Sequence, residues 1–170
     1  MKQKILKKRL IDFAEEHLFY EIKMLYGVVD MLHKCDMSNM YIYNALLESF
    51  VLHASVILDF FYAPEKKNDD ARAIHYVKNS AEWKKALPLL NKHFAGFTRK
   101  RNKEVMHLSY KRLEVRSHEK RWGSRKITKE ISKVVDLFLD HANPQLIHPS
   151  LNTLRHGLKR KGGRGLSQNK

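Results

Sequence analysis

The stretch 101–107 reads RNKEVMH and brings an arginine, an asparagine and a histidine together on a short length of chain. A guanidinium fork suits a phosphate, charged or developing. An imidazole moves protons near neutral pH. An asparagine can position either. Such a set could bind a phosphodiester and, given the right geometry, break it.

The spacing constrains that chemistry. On a regular helix over 88–112, Leu90, Phe94, Phe97, Val105 and Leu108 fall in an apolar stripe about 80° wide. Arg101 falls inside the stripe and Glu104 at its edge, whereas Lys100, Asn102 and Lys103 face solvent. A buried, uncompensated charge costs several kcal/mol or more, to order of magnitude. Arg101 is therefore expected to meet a carboxylate. Glu104 is within reach, and Glu48 and Asp59 are out of place on an otherwise apolar second helix. A core salt bridge that merely fixes helix register accounts for the same residues. His107 is set off from Arg101 by about 120° around a regular helix and about 9 Å along it. The two do not share a face within one chain, but a two-fold copy of the helix would let both line one groove. A helical histidine used only for packing or as a surface group is the simpler alternative.

The charge balance points the same way. The net charge is +15, and 30% of the 170 residues are charged. Residues 99–126 hold eleven Lys or Arg against Glu104, Glu114 and Glu119. Arg99, Lys100, Lys103, Arg116 and Arg121 are the expected nucleic-acid contacts there, with Trp122 as an aromatic surface for a splayed base. The stretch 143–170 adds six Lys or Arg and no acid. Such a field attracts polyanions; plain solubility is the bland reading.

The elements that must position these residues read as helices. Leu6, Leu10, Phe13, His17, Tyr20, Met24, Val28 and Met31 recur at helical spacing over about 3–33. A second helix is expected over 39–62 with Ser38 as its N-cap, stopped at Ala63-Pro64. Residues 69–87 suggest one or two short helices, with Ser80 capping. Pro88 suits the first turn of a third long helix, and 125–142 forms a fourth that Asn143-Pro144 ends. The expected fold is all-α: a four-helix bundle over 1–142 with a short helical insertion between helices 2 and 3, then a basic, flexible tail over 143–170 that allows a short structured part at QLIHPSLNTL.

Several classes are unsupported. The single Cys35 gives no intrachain disulfide framework. The ten histidines include no i, i+4 pair, and no Walker loop, GxGxxG or GxSxG occurs. No metal and no cofactor is expected. MKQKILKKRL lacks the apolar run of a secretory signal. The apolar stretch 40–62 is interrupted by Asn44, Glu48, His53 and Asp59, so a buried helix is expected there and no membrane span. A cytoplasmic location follows as the expectation.

The motif Arg101-Asn102 with His107 five residues further on resembles the signature of the HEPN superfamily. These are small helical-bundle proteins, many of them metal-independent ribonucleases of toxin–antitoxin and defence systems. The resemblance covers about 1–142; NALLESFVLHASVILDFFY and NKEVMHLSY also resemble a set of uncharacterised bacterial proteins of this length. It implies Arg101, Asn102 and His107 as catalytic residues, Glu48 (with Asp59 beside it as a candidate) as the orienting acid, RNA as substrate, a homodimer, and an antitoxin or other protein partner in some cases. The chemistry implied is attack of a 2′-hydroxyl on the adjacent phosphate, leaving a 2′,3′-cyclic phosphate. A non-enzymatic helical interaction module and a basic nucleic-acid-binding accessory protein are the alternatives.

Overall fold

The structure is a computed structural model that describes residues 2–64, 70–89, 92–106, 110, 113 and 122–157. It is all-α: no strand forms among the described residues beyond an isolated bridge between Val77 and Ala142. The helices are α1 (Lys2–Phe13), α2 (Phe19–Leu32), α3 (Met40–Tyr62), α4 (Ser80–Ala86), α5 (Lys92–Arg101) and α6 (Ser124–His141).

The expected first helix is one continuous rod with a wide turn inside it. Ala14–Leu18 is π-helical, and the Phe19 N–H reaches back five residues to the Ala14 carbonyl. Such turns re-aim side chains relative to a regular helix. Here Phe13 stacks on His17, ring centroids 5.1 Å apart.

The start of α3 differs in detail from expectation. Asn39, not Ser38, is the cap: its side chain accepts from the Ile42 N–H at 3.2 Å. Ser38 is instead drawn into the preceding turn, where its hydroxyl donates to Asp36 at 2.7 Å. Likewise Asn79, not Ser80, caps α4 by accepting from the Ala81 and Glu82 N–H groups. In both places a short amide side chain one position away satisfies the orphan donors.

The core lies where α2, α3 and α6 meet. α3 supplies Phe50, Val51, Ala54, Ile57, Leu58, Phe60 and Phe61, and α6 supplies Ile127, Ile131, Val134, Val135, Phe138 and Leu139. α3 is long and apolar enough to cross a membrane by length and composition, and half of that stretch is buried inside the protein. Phe60, Phe61, Tyr76, Trp83 and Phe138 form an aromatic cluster of edge-on and tilted pairs with centroids 5.2 to 6.4 Å apart. Each such contact contributes on the order of 0.5–1.5 kcal/mol beyond area burial. This cluster fastens the insertion to α3 and α6. Two backbone bonds complete the attachment, Lys78 N–H to the His141 carbonyl (2.9 Å) and Asn143 N–H to the Tyr76 carbonyl (2.7 Å).

The packed unit does not stop at residue 142. Pro149–Leu154 is a 3-10 helix, and Ile147, Leu151 and Leu154 are buried in the same core. The first part of the tail therefore belongs to the fold, at the QLIHPSLNTL stretch singled out for structure; the reason is three apolar side chains at a spacing that closes over α2. Just beyond, Gly157 has a positive φ of 34° and lies so close to α6 that a Cβ would meet Ser132 Oγ and Tyr26 at 2.9 Å. Only glycine fits there. Residues 158–170, which hold five of the six Lys or Arg of the tail, lie outside the described residues.

Candidate functional site

α5 starts later than the expected 88. It begins at Lys92, after Pro88 and Leu89, which are non-helical and exposed, and passes at Asn102–Met106 into a second π-helical turn. The third long helix thus does not start at Pro88. Phe94 packs on Tyr62 and Phe97 on Phe50, ring centroids 5.9 Å apart in each pair, which sets α5 against α3.

With α5 held so, Arg101 reaches the C-terminal part of α3. Its Nη1 is 3.8 Å from Asp59 Oδ2, and its Nε donates to Asn102 Oδ1 at 3.1 Å. The arginine is half-buried and the Asp59 side chain 59% exposed. The pair stands at the rim of the fold, not sealed in the core as the apolar stripe suggests. The stripe is a property of a regular helix. Arg101 is the last residue of α5, and the wide turn after it changes the angular step. The expected 120° offset concerns His107, which lies outside the described residues.

The other candidates separate. Glu48 is exposed, has no ion pair with a described residue, and lies three turns back along α3, about 16 Å from Asp59. The carboxylate beside Arg101 is Asp59, and Glu48 is not in place to orient it. Asn102 is exposed and spends its oxygen on Arg101. Glu104 faces Lys100 at 3.5 Å instead of Arg101. Lys100 lies 4.9 Å over the Trp122 ring, whose other contact is an edge-on pair with Phe97 at 5.8 Å. Trp122, expected as a free stacking surface, is half-buried against α5, because its indole closes the gap between α5 and the start of α6. Lys100 is correspondingly committed. Arg99 is exposed. Lys103 lies in the π turn; Arg116 and Arg121 lie outside the described residues.

Two residues went unnoticed as site candidates. Asp59 also lines a cleft of about 390 Å³ together with His17, Glu21, Asp70 and Arg72. Arg72 donates to Asp70 Oδ2 at 2.8 Å, while its Nε is buried without a partner among the described residues. His17, placed by the first π turn, is an exposed imidazole on the same cleft. Its apolar spacing on a regular helix concealed it. Glu21 is tied to the buried His53 at 2.7 Å. Among the described residues no three His, Cys, Asp or Glu side chains gather as metal ligands would.

The arrangement can present a guanidinium, fixed at one edge by Asn102 and loosely by Asp59, to a phosphate arriving from solvent. Comparison with known proteins adds nothing to this geometry: no family model, no curated protein and no solved structure matches the chain.

Proposed function

We propose that the chain is an RNA-binding helical protein of the HEPN kind that cleaves single-stranded RNA, with Arg101 and His107 at its centre. The observation that carries the reading is the state of Arg101. It is oriented by Asn102 and Asp59, yet its ion pair is long and solvent-reached, and it makes no other hydrogen bond to a described residue. A guanidinium so held keeps donors for a phosphate. It stands in a stretch where eleven basic residues oppose three glutamates.

In this reading the 2′-hydroxyl attacks the adjacent phosphorus, His107 moves a proton, and the bond to the 5′-oxygen breaks as that oxygen takes up a proton. Arg101 stabilises the extra charge on phosphorus. A four-helix arrangement of the α1–α2 rod, α3, α5 and α6, a homodimer through α3 and α5, a protein partner and a cytoplasmic location belong to the same reading. The test is incubation of the purified protein with mixed RNA, with and without chelator. Cleavage that survives chelator and is lost in His107→Ala, in a protein that melts like wild type, supports it. Equal cleavage by His107→Ala ends it.

A non-enzymatic interaction module is the second reading. Met37, Met40, Tyr41 and Ile42 are all exposed at the turn into α3, an apolar patch that catalysis does not use. Absence of cleavage by wild type under every condition would favour it.

A further inference from the structure

α6 carries a row of cations that the Arg101 centre does not use. Arg125, Lys129 and Lys133 recur every four residues, so they lie on one face of the helix, about 6 Å apart along its axis. All three are exposed. One cavity of about 430 Å³ is lined by all three, and a second of about 480 Å³ shares Arg125 with it. The first is floored by Val29 and bounded by Lys129, Lys133 and His156. The second runs past the start of α6, where His33, Tyr43 and Trp122 meet Arg125 and Lys126. Together they make a groove between the C-terminal half of α2 and the N-terminal half of α6.

Among the described residues the charges in this groove are largely uncompensated. Its carboxylates are already engaged: Asp30 with Lys34 at 3.0 Å, Asp136 with the His156 N–H at 3.0 Å and with the His156 ring at 3.4 Å. Lys133 faces Glu130 at 2.7 Å, an exposed pair of little strength. Arg125, Lys126 and Lys129 form no ion pair with a described residue. The start of α6 adds to the field. Its N-cap is Gly123, in a left-handed conformation with φ 57°, and no side chain caps the first N–H groups. A helix begun in this way leaves donors and the positive end of its dipole facing the groove.

We infer that this groove is the track along which the phosphate backbone of a single-stranded RNA lies, with Arg125, Lys129 and Lys133 on successive phosphates. The inference rests on the RNA-binding reading above and names where the strand runs. The spacing of the row is close to the separation of successive phosphates in a single strand. A concave groove with regularly spaced cations fits a strand better than a flat surface. A lipid surface would call for large apolar side chains exposed between the cations, and α6 exposes none. Trp122, already in contact with Lys100, places the head of the track beside α5, which ends in Arg101.

The experiment is a titration of a short labelled single-stranded RNA with the full chain, read by fluorescence anisotropy at several salt concentrations. Three proteins are compared: wild type, Arg125→Glu/Lys129→Glu, and Lys84→Glu/Lys85→Glu. The last changes net charge equally, on exposed residues of α4, and leaves the groove intact. The groove double variant should bind at least about tenfold more weakly, and its slope of log affinity against log salt should fall by about 0.7 per phosphate contact removed. The α4 double variant should stay within about threefold of wild type. Circular dichroism should show both variants folded, since all four positions are exposed. Equal weakening by both doubles would overturn the track in favour of diffuse attraction. Unchanged binding by the groove variant would overturn it while leaving the RNA-binding reading in place. Loss of binding to phosphatidylserine vesicles with RNA binding unchanged would overturn it in favour of a membrane surface. Wild type that binds no RNA at any salt would remove both the track and the reading beneath it.

Discussion

Arg101 Nη1 stands 3.8 Å from Asp59 Oδ2 at the rim where α5 meets α3, with the carboxylate more than half exposed. A pair in that position is worth little to stability, typically about 0–1 kcal/mol. Arg101→Ala should therefore lower unfolding free energy in urea by less than about 1 kcal/mol. A sealed core pair would cost about 3–5 kcal/mol on losing one partner, so a loss of that size would show that the arginine is structural. On the ribonuclease reading the same variant should cleave at least about a hundredfold more slowly, the scale on which loss of one charge-stabilising donor is felt.

Leu151 is fully buried, nine residues past the expected end of the fold. Leu151→Ala should destabilise by about 2–5 kcal/mol, the range for a large apolar side chain removed from a core. A chain cut after residue 142 should lose more. Denaturant midpoints for both measure this, and a truncated chain as stable as the full one would contradict the packing of 147–154.

Tyr76 is completely buried in the aromatic cluster, and its hydroxyl has no partner among the described residues. Burial pushes its pKa up to about 12. The native state thus favours the neutral phenol. The stability this represents is intact below the ordinary tyrosine value of 10.0 and is lost as pH rises from there towards 12. Tyr76→Phe should leave the melting temperature unchanged or raised, because an unsatisfied buried hydroxyl contributes nothing and its removal can be neutral or favourable. In an ultraviolet titration Tyr26 and Tyr76, both pushed up to about 12 by burial, should ionise late, and the late signal should fall by one tyrosinate in the variant.

His33 Nε2 lies 3.0 Å from Ser124 Oγ at the mouth of the basic groove. Desolvation, and after it the Arg125 charge, holds its pKa below the usual 6.5. Being lowered in the fold, its preference for the neutral ring is fully present above pH 6.5 and is lost as the pH falls through the folded value. In an NMR titration Arg125→Ala should move the midpoint up, but not beyond the ordinary histidine range, since desolvation remains. RNA in the groove should raise it as well, through the phosphate charge. A midpoint that ignores both would place His33 outside the groove.

Much of the scaffold was legible from the chain. The 3.6-residue recurrence in 3–33, 39–62 and 125–142 marks helices that the structure places at nearly the same bounds, because a face that must be buried leaves its period in the sequence. Asn143-Pro144 marks the end of α6 for a local steric reason. The need of Arg101 for a carboxylate was also local chemistry, but the choice among Glu48, Asp59 and Glu104 was not. Three turns separate Glu48 from Asp59, and only the crossing of α5 over α3, set by Phe94 on Tyr62 and Phe97 on Phe50, brings one of them to the arginine. The two π turns escaped for a related reason. A hydrophobic pattern is read with a fixed angle per residue, and a wide turn breaks that angle without any mark in residue type. Trp122 shows the same limit: its composition suggests a free aromatic, and the gap between α5 and α6 decides that it is filled. Residue types alone determined that the chain is helical and basic. The tertiary packing decided which side chains stand together at the rim and which cations along α6 form no ion pair with a described residue, because burial and pairing depend on distances between elements far apart in the chain.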